Sequence, residues 1–347
     1  SALAQDHTEF IECMNVQSVN FQGLSFVNVT KPTDFEMKYL KNNYYFNPLD
    51  LEDYVHKTQV PKIENHKRYD LFVLRFPLLT ENIPQNSHQY GVVHLPAFYT
   101  NNKKRRLMSS YVNLFISKEY IVVLHAGELP QIEHIFSLCQ KTLHHRTDYM
   151  SKGSVFLAYK IIDALVDDCF PVINEITSTI DRVDKELENR QSQKTLEEIS
   201  TTRRNLVVFH TMTKPILPLF AQLEEGKHKD LNGAMQPFWG NILDHLQKIV
   251  DRIEDNQELI EGIAESSDFL LRTKTNHIMA TLTVMFTLTI PATVIGTFYG
   301  MNIVLPGGIT EGSWNFWGHY TTLIIVIVLS AIPIILMLLY FRYKKWY

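Results

Sequence analysis

Two unbroken apolar runs near the C-terminus, residues 278–298 and 321–341, dominate the alternation of hydrophobic and polar positions along this chain. Each is about twenty residues long, the length an α-helix needs to cross roughly 30 Å of hydrocarbon. Neither run contains Asp, Glu, Lys or Arg. Together they predict two membrane-spanning helices joined by a short loop, residues 299–320.

Upstream the pattern is amphipathic. From about Phe156, apolar residues such as Ile162, Leu165, Val166, Cys169, Val172 and Ile176 recur at three- and four-residue steps, the signature of a helix with one buried face. Pro171 would kink that helix or be absorbed by it. A second helix is expected over about 194–223, bent by Pro215 and Pro218. A third starts near Gln236 and carries Ile242, Leu246, Ile249, Ile253 and Ile263 directly into the first apolar run, with no proline between Gln257 and Pro291. At about 1.5 Å per residue, a helix over 236–298 would be roughly 95 Å long. So long a helix needs packing partners to be stable.

The first part of the chain switches to strand patterning. Residues 21–30, 70–80, 91–100, 111–117 and 120–125 are rich in Val, Ile, Phe and Tyr and bounded by turn formers. Asn47-Pro48 opens a helix over 49–60, with Asn as N-cap and Pro in the first turn. The basic run Lys103-Lys104-Arg105-Arg106 is expected at a solvated hairpin tip, and no nucleic-acid contact is inferred from it. The expected organisation is α+β: a cytosolic α/β domain over 1–155, a helical stalk over 156–275, and a transmembrane hairpin over 276–347.

Charge orients the hairpin. Arg272 and Lys274 precede the first run and Arg342, Lys344 and Lys345 follow the second, whereas 299–320 has no Lys or Arg. By the positive-inside bias both termini are cytoplasmic and the loop lies outside. Trp314, Trp317, Tyr320, Tyr340, Tyr343 and Trp346 stand where interfacial aromatics anchor a hairpin. Cys13, Cys139 and Cys169 are widely spaced and form no CxxC pair, which points to reduced thiols rather than a disulfide framework. No charged n-region with an apolar core opens the chain, so no cleavable signal is expected. No phosphate-binding loop, nucleophile elbow, HExxH or dinucleotide fingerprint is present, so an enzyme is not expected. His144-His145 with Asp148 near Cys139 has no regular ligand spacing.

At the end of the first run stands Tyr299-Gly300-Met301-Asn302. With Asn276-His277-Ile278-Met279, Leu282-Thr283, Pro291 and Thr293 before it, this stretch resembles the first span and signature of the CorA-type divalent-cation transport family. The resemblance is close over the C-terminal third and one of pattern over the helical middle. It implies a funnel-shaped homopentamer in the plasma (inner) membrane, with the first span of each subunit lining a central pore. It implies Mg²⁺, with Co²⁺ or Ni²⁺ as related cargo, entering down the membrane potential, and no cofactor. A zinc transporter of the same superfamily, with proton coupling, is the alternative; a membrane-anchored sensor or scaffold is a further one.

Asn276, Met279, Leu282 or Thr283, Phe286, Ile290 and Thr293 share one helical face. In a pentamer they would form rings, polar at Asn276 and Thr293 and apolar between, and apolar rings can gate by dewetting. Phe286 departs from the small residue expected there. Mg²⁺ releases its water reluctantly, so an entrance that holds the hydrated ion suits it. Amide oxygens of Asn302 with Gly300 carbonyls can accept hydrogen bonds from that water shell. Gly300 would permit a close turn at the helix end, with Tyr299 and Met301 packing the loop. Glu311, the one acid in the loop, would raise local cation concentration. Family members also bind divalent ions between acidic residues of the cytosolic part; here Asn241 stands where the stalk Asp is expected, with Asp244 nearby. Asp167-Asp168, Asp181, Asp184, Asp251 and Asp255 read as solvated helix surface.

Overall fold

In the computed structural model the described residues are 15–56, 60–80, 93–100, 103–189, 193–231, 233–301 and 320–344. The chain divides into two compact units, Ser1–Ala264 and Glu265–Tyr347.

The first unit is built on a seven-stranded sheet: β1 (Val16–Phe21), β2 (Leu24–Thr30), β3 (Lys62–Asn65), β4 (Asp70–Thr80), β5 (Val93–Thr100), β6 (Lys103–Ile116) and β7 (Tyr120–His125). The strand order is β1-β2-β7-β6-β4-β3, with β5 also paired to β6. Among the described strands β2 and β7 run parallel and the other pairs antiparallel. The β2–β7 pairing brings Val29 opposite Leu124 and Thr30 opposite His125. Both faces of the sheet's centre are covered, so β4 and β7 read as nearly continuous apolar runs. Along β4, Phe72 and Leu74 join the larger core while Leu71 and Val73 join a smaller one.

The smaller face is covered by α1 (Asp34–Tyr44) and α2 (Pro48–His56), through Met37, Leu40, Leu51 and Tyr54. Thr33 and Glu36 form a capping box that starts α1. The larger core is completed by α3 (Pro130–Lys141), α4 (Leu143–Met150), α5 (Ser154–Asp167), α6 (Cys169–Asn189), α7 (Gln193–Thr213), α8 (Leu217–Glu224) and the first turns of α9 (Gln236–Gly300). Trp239 of α9 is fully buried there, beside Phe72, Tyr159 and Phe220. α10 (Thr321–Tyr343) closes the described chain.

Several boundaries differ from the sequence expectations. Residues 21–30 are two strands, not one, because Gln22 and Gly23 adopt left-handed φ of 49° and 85°, the pair of positive φ values a two-residue hairpin turn needs. The run Lys103–Arg106 is not a hairpin tip: it opens β6, with Lys103 opposite Thr100 and Arg106 opposite Ala97. β-pairing overrides the low strand propensity of four cations. The helix expected over 49–60 ends at His56, and 57–59 lie outside the described residues. Asn47 does cap it, its Oδ1 accepting from Leu49 N at 3.1 Å. The helix expected from Phe156 breaks between α5 and α6, leaving Pro171 in the first turn of α6, where its missing N–H costs nothing. The bend expected at Pro215 and Pro218 is a 3₁₀ turn, Lys214–Ile216, between α7 and α8. Cys139 and Cys169 are free and buried.

Three helical stretches among the described residues are long and apolar enough to cross a membrane by length and composition: Gln193–Glu224, Gly233–Gly300 and Leu323–Tyr343. Burial separates them. In the first, 39% of the apolar window is buried within the chain, with Ile199, Leu206, Phe209 and Met212 in the larger core; in the others the share is 0% and 6%.

Candidate ion path and metal centre

In the second unit, α9 keeps its helical backbone through Pro291 to Gly300. All seven residues expected to line a pore, Asn276, Met279, Leu282, Thr283, Phe286, Ile290 and Thr293, are exposed in the single chain. Ala280, Val284, Thr287, Leu288, Pro291, Ala292 and Ile295 are partly covered. The helix thus presents a free face that includes every expected position. Phe286 is among its most exposed apolar residues at 65%.

The threonines of this segment satisfy their donors internally. Thr283 donates to Met279 O at 2.7 Å and Thr293 to Thr289 O at 3.0 Å, as do Thr281, Thr287, Thr289 and Thr297 to their own i−4 carbonyls. The hydroxyl proton is spent on the backbone, so what Thr283 and Thr293 offer outward is an oxygen lone pair. That is the polarity required by the hydrogens of a hydrated cation's water shell.

Gly300 is the last helical residue and Met301 N donates to Phe298 O at 3.3 Å, tightening the final turn. The φ of Gly300 is not left-handed, a Cβ built on it meets nothing within 4 Å, and the close turn expected after it falls on residues outside the described ones. Asn302 and Glu311 lie outside the described residues.

In the first unit, Asn241 and Asp244, the expected regulatory pair, are both exposed. Asn241 Nδ2 donates to Asp163 Oδ1 at 3.2 Å. One turn further along α9, His245 Nδ1 lies 3.1 Å from Asp167 Oδ1. Asp163, Asp167 and His245 each bring a ligand atom within 4.8 Å of the others, a spacing one divalent ion can bridge. Burial raises the Asp163 carboxyl above its ordinary value, and the neighbouring Asp167 adds to this. A dication would relieve the repulsion between the two acids. Asp167 is therefore part of a cluster and not merely solvated surface. The available signal was two i,i+4 pairs, Asp163/Asp167 and Asn241/His245, but only packing shows that they face each other.

Comparison with known proteins agrees with this architecture. The family model for the CorA-like Mg²⁺ transporter protein matches residues 80–345. The cobalt/magnesium transport protein CorA of Thermotoga maritima is 26% identical, over 86% of this chain and 76% of its own. The putative metal ion transporter YfjQ of Bacillus subtilis is 25% identical, over 93% and 89%. The solved CorA magnesium transporter of Methanocaldococcus jannaschii superposes with a TM-score of 0.71 at 17% identity, covering 95% of this chain and 94% of that one, and so shares its fold. The family match spans well over half of the sequence, and the chain belongs to the CorA-like Mg²⁺ transporter protein family, as a divalent metal-ion transporter.

Proposed function

We propose that this chain forms a homopentameric Mg²⁺ channel of the inner membrane, with α9 lining the pore and α10 outside it. The carrying observation is Tyr299-Gly300-Met301-Asn302 at the end of the free face of α9. Two spans cannot enclose a polar path alone, so several copies must supply the wall. The outward lone pairs of Thr283 and Thr293 and the amide of Asn276 suit a hydrated ion, and the apolar stretch between suits a gate. Asn302 and Gly300 would hold the water shell at the outer mouth, Met301 would pack the loop, and Glu311 would draw cations toward it. Cytoplasmic termini follow from the cations flanking the two apolar runs, Arg272 and Lys274 before the first and Arg342, Lys344 and Lys345 after the second. Two charges moving through 100 mV supply about 4.6 kcal/mol, so no other energy source is required. Asp163, Asp167 and His245 would hold a regulatory divalent ion in the cytosolic part.

The test is cation flux into proteoliposomes. Asn302→Ala should lower Mg²⁺ flux roughly tenfold, the effect of losing about 1.4 kcal/mol of selective stabilisation. Unchanged Mg²⁺ flux would remove the signature from the mechanism, and zinc flux that tracks a pH gradient would identify a proton-coupled zinc transporter instead.

A further inference from the structure

A second cluster of ligands lies in the first unit, on residues unrelated to the ion path. Asp50 sits in the first turn of α2, Glu64 on β3, and His66 just beyond β3, where its backbone N–H donates to Tyr69 O at 2.9 Å. His66 Nε2 lies 3.1 Å from Asp50 Oδ2 and 3.7 Å from Glu64 Oε2, and ligand atoms of all three residues fall within 4.8 Å of one another. The side chain of Asp50 is only 5% exposed.

Two features separate this cluster from a simple ion pair. First, Nε2 is buried and makes no hydrogen bond among the described residues, despite two carboxylates at its edge. An ion pair places an oxygen along the N–H axis. A metal bound to the nitrogen, with bonds of about 2.0–2.1 Å, instead holds its other ligands off that axis and about 3.3 Å from the nitrogen. The separations of 3.1 and 3.7 Å bracket that spacing. Second, the ligands are held from behind. Tyr69 OH donates to Asp50 Oδ2 at 2.7 Å and accepts from Asn47 N at 3.0 Å, and its ring stacks on His66 with centroids 4.7 Å apart. Lys62 Nζ occupies Glu64 Oε1 at 3.0 Å, which leaves Oε2 to face His66. Such outer partners orient metal ligands. A cleft of about 550 Å³, lined in part by His66, Asp70 and Asp230, gives solvent access.

We propose that Asp50, Glu64 and His66 form a binding site for one late first-row divalent cation, Zn²⁺ or Co²⁺, with water as the remaining ligand. Two carboxylates balance the charge of the ion, and a nitrogen ligand selects against Mg²⁺, which prefers six oxygens. The bound ion ties α2 to the β3–β4 hairpin.

The test is equilibrium binding of Co²⁺ and Zn²⁺ to the full chain in detergent, with visible absorption of Co²⁺ as the geometric readout. His66→Phe, which keeps an aromatic ring against Tyr69, should remove one equivalent of Co²⁺ per chain with its tetrahedral absorption. Glu64→Gln, at a half-exposed position, should weaken that equivalent at least about tenfold. Millimolar Mg²⁺ should not displace it, and His245→Ala should leave it in place. Unchanged stoichiometry in both His66→Phe and Glu64→Gln, displacement by Mg²⁺, or loss of the equivalent only in His245→Ala would overturn the proposal. Should His66→Phe not fold, Glu64→Gln alone decides.

Discussion

His125 ends β7 with no exposed surface, and its two ring nitrogens have fixed roles. Nε2 lies 2.8 Å from Asn28 Oδ1, to which it can only donate, and Nδ1 accepts from Gly127 N at 3.2 Å. Gly127 is required there: its φ is 82°, and a Cβ would sit 3.0 Å from Thr30 Cγ2. The imidazole is thus held neutral. Burial pushes its pKa down, against the pull of Glu133, and a proton on Nδ1 would face the Gly127 N–H. Because the folded value lies below the unfolded one, the unfolded chain binds the proton first as pH falls through about 6.5, and stability is lost. Glu128, raised by burial to about 7, and Asp70, raised by burial to about 6, work in the opposite sense: protonation in the folded state restores stability below those values. His125→Asn should therefore lose less stability than the parent between pH 7 and 5, measured by thermal unfolding. An identical pH slope would show that His125 does not titrate as argued. At the same scale, Thr33→Ala removes the N-cap of α1 and should cost about 1 kcal/mol in denaturant unfolding.

At the scale of elements, α9 does two different jobs along one helix. Its first turns are core. Trp239 is fully buried and its Nε1 donates to Leu231 O at 2.9 Å. Trp239→Ala should destabilise the first unit by about 3–5 kcal/mol through the cavity it leaves. Trp239→Phe, which strands the Leu231 carbonyl, should cost about 1–3 kcal/mol. From Ile278 the same helix is apolar on most exposed positions, including Met279 at 60% and Ile290 at 56%. If these are a dewetting gate, Ile290→Asn should raise resting Mg²⁺ flux several-fold by wetting the ring. Flux that stays at the parent level would place the gate elsewhere. This division of labour was legible in part. The three- and four-residue steps through Ile242, Leu246, Ile249 and Ile253 mark a buried stripe, and the absence of charge from 278 onward marks the change of surroundings. The start of α9 at Gln236 was legible too, but the hairpin at Gln22-Gly23 and the helices α1, α3 and α4 were not. Short elements depend on turn geometry and on what covers them more than on their own pattern.

At the scale of the molecule, the two units have different solvents. The first has its own two cores on either side of a sheet. The second exposes Ile278, Phe286, Ile290, Leu323, Ile327 and Leu336, a surface that water does not tolerate and that lipid or further copies must cover. Residues 1–264 alone should remain monodisperse without detergent, whereas the full chain should aggregate when detergent is removed; size-exclusion chromatography distinguishes the two. Native mass measurement of the detergent-solubilised chain should give five copies, and a monomer would leave the pore face without a wall. By itself the sequence determined the apolar runs, their charge flanks, the long third helix and the Gly300-Met301-Asn302 signature, because each is a local or periodic property of contiguous residues. Only the tertiary structure decided that β2 lies parallel to β7, that Lys103–Arg106 is strand, and that Asp167 meets His245 across 78 residues with Asp163 beside them. The same holds for Asp50, Glu64 and His66. Such meetings depend on how sheet register and helix packing bring distant segments together, and no local period encodes that.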